Sequence, residues 1–309
     1  MRVVFWKELA DLFGSKRFVI LLSLILIVAG ASVYLGGQSL SEDPPEESAY
    51  VYLRLFTHGA GGLPSFLSFL AFFGPLIGLL LGFDAVNSEF TRGTVSRVLA
   101  QPVFRDAWIN GKFLAGLATL ALALAGIVLI MFGLGLYVLG FPPDGGELAR
   151  MFTFWAIGLV YLGFWLALGI LFSILFRQAA SSALAAIAVW LFFTLFFYMA
   201  AGLIADQLVP VRPDASAAVW ARHEDLRQLV LRFCPVAMFE DATTAVLMPS
   251  YRGLGITQLL TQRGIPTNPL PLGQSLLIVW PQLVSLVALS SICFGISYVI
   301  FMRREIRST

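Results

Sequence analysis

Apolar residues in this chain come in long unbroken blocks. Six stretches contain no Asp, Glu, Lys, Arg or His: 18–36, 64–83, 113–139, 152–176, 179–204 and 275–301. Each has 19–27 residues, and about 20 residues of helix cross a hydrocarbon core of roughly 30 Å. None alternates with a period of two, which removes a β-barrel. The pattern predicts an all-α integral membrane protein with six transmembrane helices, and an even number places both termini on one side.

Between the blocks the pattern changes. Over residues 2–15, Phe5, Trp6, Leu9, Leu12 and Phe13 recur at helical spacing, with Lys7, Glu8, Asp11 and Ser15 on the other face. This predicts an amphipathic helix lying in the membrane interface, either a plain anchor or also a dock for a cytosolic partner. The 29-residue loop 84–112 carries Gly93 to break one helix, Thr94 to cap the next, and Pro102 to stop it; Asp106 would cap the third span. The alternative is a solvated turn. Residues 176–179 leave room only for a tight turn, so spans four and five are antiparallel neighbours. The acidic, Gly-rich 37–63 reads as an irregular loop. The 205–274 segment predicts helices over 214–233 and 236–247 followed by a Pro-rich return, and is too short for a large core of its own. In the first of these helices Trp220, Leu226, Leu229, Val230 and Phe233 would oppose Arg222, Glu224, Asp225 and Arg227. The chain thus divides into an interface helix (1–17), five spans with the 84–112 loop (18–204), an extracytoplasmic helical cap (205–274), and the last span with its tail (275–309).

Composition agrees: 59% apolar, 12% charged, mean hydropathy +0.86, where soluble domains carry about 25% charged residues. A net charge of +2 leaves no basic stripe for nucleic acid. The side holding the termini has 12 of the 20 Lys and Arg in its short segments, and 12 of the 18 Asp and Glu fall on the other. Basic residues are retained in cytoplasmic loops, so both termini are expected in the cytoplasm. Ala29-Gly30-Ala31 resembles a signal cleavage site, but Glu8 and Asp11 in a helical leader argue for an uncleaved first span.

No span holds an ionisable residue, so ion-coupled transport lacks its usual groups. Gly111-Lys112 lacks the rest of a phosphate-binding loop. Cys234 and Cys293 provide neither a disulfide framework nor a metal site. His58 and His223 are isolated, and Arg222-His223-Glu224-Asp225 would point four ways on a helix. No catalytic residue, metal or bound cofactor is expected. Inside the spans, the small residues of 179–188 would let helices approach closely. Phe66, Phe69 and Phe73, then Trp190, Phe193 and Phe197, form aromatic stripes that either pack or line a path. Gly74-Pro75 and Pro281 suggest bends.

The loop from Glu89 to Lys112 resembles the signature region of ABC-2 type permeases, through Glu89, Gly93, Thr94, Pro102, Arg105, Gly111 and Lys112. Trp6-Lys7-Glu8-Leu9 is similar to that family's interface helix, and 301–306 to its close. The nearest branch is the permeases of multicopper-enzyme maturation, such as nitrous-oxide-reductase maturation. The resemblance implies a type V exporter-like fold in a prokaryotic cell (inner) membrane. It further implies one permease half of an exporter, working with a second permease copy (identical or a close paralogue) and two cytosolic ATPase subunits that hold ATP and Mg. Glu89, Arg92, Arg97, Arg105 and Lys112 would then be polar contacts of the coupling loop, with Gly93, Thr94 and Pro102 shaping its helix. Trp6, Lys7, Glu8 and Asp11 would dock from the interface helix, and spans two and five would line the path. Membrane lipids and an extracytoplasmic protein are further expected partners. Two other readings are a mechanical transmitter that acts on an exterior protein without transport, and an integral-membrane enzyme.

Overall fold

The computed structural model describes residues 1–42, 50–59, 62, 64–91, 93, 104–211, 215–249 and 269–303. Among these there is no strand. In chain order the helices are α1 (Arg2–Phe13), α2 (Lys16–Glu42), α3 (Val51–Thr57), α4 (Phe66–Gly82), α5 (Asn87–Thr91), α6 (Arg105–Leu139) and α7 (Gly145–Leu175). There follow α8 (Ala179–Leu191), a π-helical turn (Phe192–Phe196), α9 (Phe197–Leu208), α10 (Ala217–Leu231), α11 (Pro235–Leu247) and α12 (Leu272–Arg303). Six helices are long and apolar enough to cross a membrane. They are TM1 (α2), TM2 (α4, continuing to Thr91), TM3 (α6), TM4 (α7), TM5 (α8 to α9) and TM6 (α12).

The spans do not share the interior equally. In its most apolar stretch TM4 is 83% buried within the chain, against 6% for TM5. TM4 is the pillar, packed on TM2 and TM6. TM2 meets it through Gly74, Gly78 and Gly82, one glycine per turn. A Cβ on Gly78 would lie 2.7 Å from the Leu162 carbonyl oxygen, and one on Gly82 2.7 Å from that of Leu166. The helices therefore touch backbone to backbone, the close packing that small residues permit in lipid. The small-residue run 179–188 does not play this part: of it, only Ser182 and Ala186 are buried.

Pro75 lies inside TM2 and has no N–H to give the Ala71 carbonyl. The hydroxyl of Tyr161 in TM4 donates to that oxygen at 2.7 Å. Trp190 of TM5 donates to the neighbouring Phe72 carbonyl at 3.0 Å. Two aromatic side chains thus satisfy the backbone where proline disturbs it, and lock TM2 to TM4 and TM5.

Four expectations need correction. The 37–63 segment is not all irregular: α2 runs to Glu42, and α3 buries Tyr52, Leu53, Leu55 and Phe56. Asp106 is not the cap of TM3; Phe104 holds that place and Asp106 sits in the first turn. The apolar side of α10 is not its packed side, since Trp220, Leu229 and Phe233 are exposed while Ala221 and Leu231 are buried against α9. Finally, α11 is set deeper than a cap resting on an outer face. Ten of its 13 residues are buried among TM2, TM4 and TM6, because all but Glu240, Asp241 and the two threonines are apolar.

Candidate functional site

At the end of the bundle that carries both termini, TM2 runs out into the 84–112 loop. This root is gripped from four sides. Arg17 at the start of TM1 pairs with Asp84 at 3.1 Å. Ser173 of TM4 accepts the backbone N–H of Val86 (2.9 Å) and of Asn87 (3.1 Å). Ser182 of TM5 donates to the Phe83 carbonyl at 2.7 Å. Lys112 of TM3 binds Glu89 at 2.6 Å. Any displacement of the root must therefore be felt by TM1, TM3, TM4 and TM5 together.

The loop turns sharply just beyond. α5 ends at Thr91 and Gly93 takes φ +65°, the left-handed conformation in which glycine replaces any side chain at least cost. Arg92, Thr94, Arg97 and Pro102 lie outside the described residues. Arg105 opens TM3 and is half-buried.

α1 lies against TM3. Val4 is buried and Glu8 turns inward, its carboxylate 2.9 Å from the Lys112 ammonium. The expectation that Glu8 would share the solvent face is thereby corrected. Trp6 is 62% exposed, with Val3 and Phe13 also exposed. Lys7 pairs with Asp11 across one turn at 3.4 Å. So α1 presents an apolar edge, a polar edge and a charged inner seam.

The aromatic stripes divide. Phe66 departs from the expected path-lining set: its ring is buried between Phe56 (5.9 Å) and Phe154 (6.2 Å), on the TM4 side. Phe69 and Phe73 lie 4.6 Å apart, and Phe73 contacts Phe72, whose ring meets Trp190 at 5.1 Å. Phe193, within the π turn, and Phe197, directly after it, are 5.5 Å apart. Below them a lateral groove of about 500 Å³ opens between TM1, TM2 and TM5, walled by Ile20, Leu24, Leu76, Leu79 and Ile187, with Arg17 at its rim. Its walls stop one turn short of the Phe72–Trp190 contact.

At the far end, TM4 starts with two residues that composition could not single out. Glu147 closes a capping box with Asp144, and the same carboxylate accepts the Tyr52 N–H at the start of α3 (2.9 Å). Arg150, 1% exposed, donates to the Val246 carbonyl at the C-terminal end of α11 (2.6 Å) and to the Leu270 carbonyl. A cation at a helix C-terminus satisfies orphan carbonyls and the helix dipole at once. Leu270 N–H donates to the Pro249 carbonyl (2.8 Å), so the residues flanking 250–268 on either side meet at this arginine. Across the bundle α11 is tied to TM5: Tyr198 donates to Glu240 at 2.6 Å, and the Cys234 thiol to the Phe193 carbonyl at 3.3 Å. Burial, helped by the adjacent Glu240, pushes the Asp241 carboxyl up to about 7, against the pull of Arg232. Burial also raises Glu240, and lifts the Cys234 thiol to about 11.

In the Arg222–Asp225 cluster the middle two residues are paired with neighbours outside it, while Arg222 and Asp225 are exposed. His223 lies 3.0 Å from Asp206, and Glu224 takes Arg227 at 3.3 Å. Among the described residues no three His, Cys, Asp or Glu side chains gather to hold a metal.

Residues 2–306 match the family described as ABC-2 family transporter protein. The chain is 30% identical over 197 residues, 62% of its length, to a probable ABC transporter permease protein NosY of Stutzerimonas stutzeri. It is also 30% identical over 199 residues, 63% of its length, to the protein so named in Pseudomonas aeruginosa. It spans 65% and 66% of those relatives' own lengths. The six apolar spans, the looped root at the end of TM2 and a match running almost end to end agree, and the chain belongs to the ABC-2 family of transporter proteins.

Proposed function

We propose that this chain is the membrane-spanning permease subunit of an ATP-binding-cassette exporter, driven by a separate cytosolic ATPase. The observation that carries this reading is the root of the 84–112 loop. Side chains from four other spans converge there, so a push on the loop is delivered to the bundle as a whole. Both relatives bear the name of probable ABC transporter permeases. The excess of basic residues around the loop supports a cytoplasmic location for it and for both termini.

Two ATPase subunits would dock on the loop and on α1, through Gly93, Arg105 and the exposed edge holding Trp6, Lys7 and Asp11. A second permease copy would cover TM5, of whose most apolar stretch only 6% is buried within the chain. The lateral groove between TM1, TM2 and TM5 would then become one wall of an enclosed path. ATP and Mg belong to the partner, and this chain supplies positioning and movement only.

The test is affinity purification of the tagged chain from its native membrane in mild detergent, with mass spectrometry of what accompanies it. A stoichiometric ATPase subunit is expected, and its loss when Gly93 is replaced by Val would place the contact at the loop. An intact, folded chain that brings no ATPase would overturn the reading. A mechanical transmitter is the second reading, favoured by the direct Phe72–Trp190 contact that closes the groove within one chain. Crosslinking of the ATPase-bound complex to an exterior protein, with no path opening between copies, would select it.

A further inference from the structure

Lys112 is a buried cation (5% exposed) at the meeting point of three segments. Its ammonium lies 2.9 Å from Glu8 Oε2, on α1, and 2.6 Å from Glu89 Oε1, at the root of the loop. It also sits 4.8 Å from the centre of the Trp108 ring, which stacks on Phe301 of TM6. A lysine ammonium has three donors on a compact charge, so it can serve two carboxylates at once. Without it, two like charges would face one another across a poorly hydrated gap. Glu8 and Glu89 are themselves little exposed, at 13% and 16% of their side chains. They are used up inside the chain and do not face a partner. Lys7 and Asp11, on the outer edge of α1, remain exposed.

The neighbouring glycine explains how α1 comes so close. A Cβ on Gly111 would stand 2.9 Å from Val4 Cγ1 and 3.1 Å from Val4 Cβ. Because that Cβ is missing, Val4 seats directly on TM3, and Glu8, one turn later, reaches Lys112.

We propose that Lys112 is a positioning residue that pins α1 to the root of the 84–112 loop, so that both segments facing the ATPase move as one body. This rests on the coupling reading above. The pin works through two ion pairs: one holds α1 and the other holds the loop. Loss of the first alone frees α1 without disturbing TM2 and TM3.

The experiment uses the full permease, alone in detergent and co-reconstituted with its ATPase in lipid vesicles. Glu8→Gln is the main variant, because it leaves the Lys112–Glu89 pair in place and the bundle intact. Lys112→Met is the second. Hydrogen exchange over residues 2–13 is expected to quicken about tenfold in Glu8→Gln, with TM3 unchanged. In vesicles the kcat for ATP should shift several-fold while the KM for ATP holds, since the nucleotide site is untouched. A covalent staple from Val4→Cys with Gly111→Cys, whose Cβ atoms would stand 3.1 Å apart and must part by a few tenths of an ångström to reach disulfide range, should restore both readouts when oxidised and lose them when reduced. Unchanged exchange of α1 overturns the pin. Faster exchange with an unchanged kcat overturns its part in coupling. A wild-type chain that never associates with an ATPase overturns the coupling reading itself, and the exchange result still tells whether the pin exists.

Discussion

Replacing Gly78 by alanine tests the TM2–TM4 contact with one carbon atom. The added Cβ would lie 2.7 Å from the Leu162 carbonyl oxygen and 2.9 Å from the Leu166 nitrogen. Both are backbone atoms of TM4, so no rotamer change relieves the clash. Reaching ordinary contact near 3.4 Å requires the two helices to part by about 0.7 Å, and gaps of that size forfeit a quarter to a half of each dispersion contact. Summed along the seam from Gly74 to Gly82, the loss is about 1–3 kcal/mol, the range for overpacked interiors. Against it stands a gain of up to about 1 kcal/mol from helix propensity. Gly126 of TM3 supplies the control, because its added Cβ would meet nothing within 4 Å, leaving only the propensity gain. Equilibrium unfolding in mixed micelles should thus show Gly78→Ala destabilised and Gly126→Ala neutral or stabilised. Equal behaviour of the two would refute the backbone-to-backbone seam.

Arg150→Met should strand the Val246 and Leu270 carbonyls and cost about 2–6 kcal/mol, at about 1–3 kcal/mol for each buried acceptor. Arg150→Lys, which cannot fork to both, should fall between, and limited proteolysis at 250–268 reads the loss of the clamp. Asp241 is raised in the folded chain, so its contribution is fully present below its unfolded pKa near 3.9 and is lost as pH rises through about 7. Protection of α11 against exchange, taken relative to the intrinsic rate at each pH, should therefore fall between about pH 4 and 7, with Glu240 adding in the same direction, and Asp241→Asn should flatten the profile. A cysteine at Asp225 should react with an impermeant thiol reagent in intact cells and one at Ala10 should not; the reverse pattern would invert the orientation.

The spans were legible because lipid permits so few alternatives. A charge-free block of sufficient length must be a buried or membrane helix, and 113–139 or 275–301 announce themselves. The helix starting at Pro235 was equally plain, since proline suits a first turn. What escaped was everything that one segment owes to a distant one. Nothing near Val51 says that α3 forms, because its first N–H groups depend on Glu147, 95 positions later. Glu8 looked like a solvent-facing charge until Lys112 stood beside it. Phe66 shares the spacing of Phe69 and Phe73, yet turns toward TM4 because Phe56 and Phe154 make a pocket for it. Arg150 counted as one more outer basic residue, and only the folded chain shows which carbonyls it holds. The glycines of TM2 were the signal most open to reading, as three at four-residue intervals are a packing pattern. The small residues of 179–188 drew attention away from them.

The seam between TM2 and TM4 also bears on how the chain is made. Gly78 and Gly82 emerge from the ribosome about 85 residues before the Leu162–Ile170 surface that receives them, a wait of roughly 4–17 s at usual synthesis rates. During that interval TM1 and TM2, joined by TM3 once it has followed, sit in the bilayer without their pillar, with the glycine face of TM2 bare to lipid. Quality control acting on the nascent three-span form would therefore see the same surface in the native chain and in a Gly78 variant. The distinction arises only once TM4 inserts, so such lesions escape early surveillance and are cleared, if at all, as completed proteins.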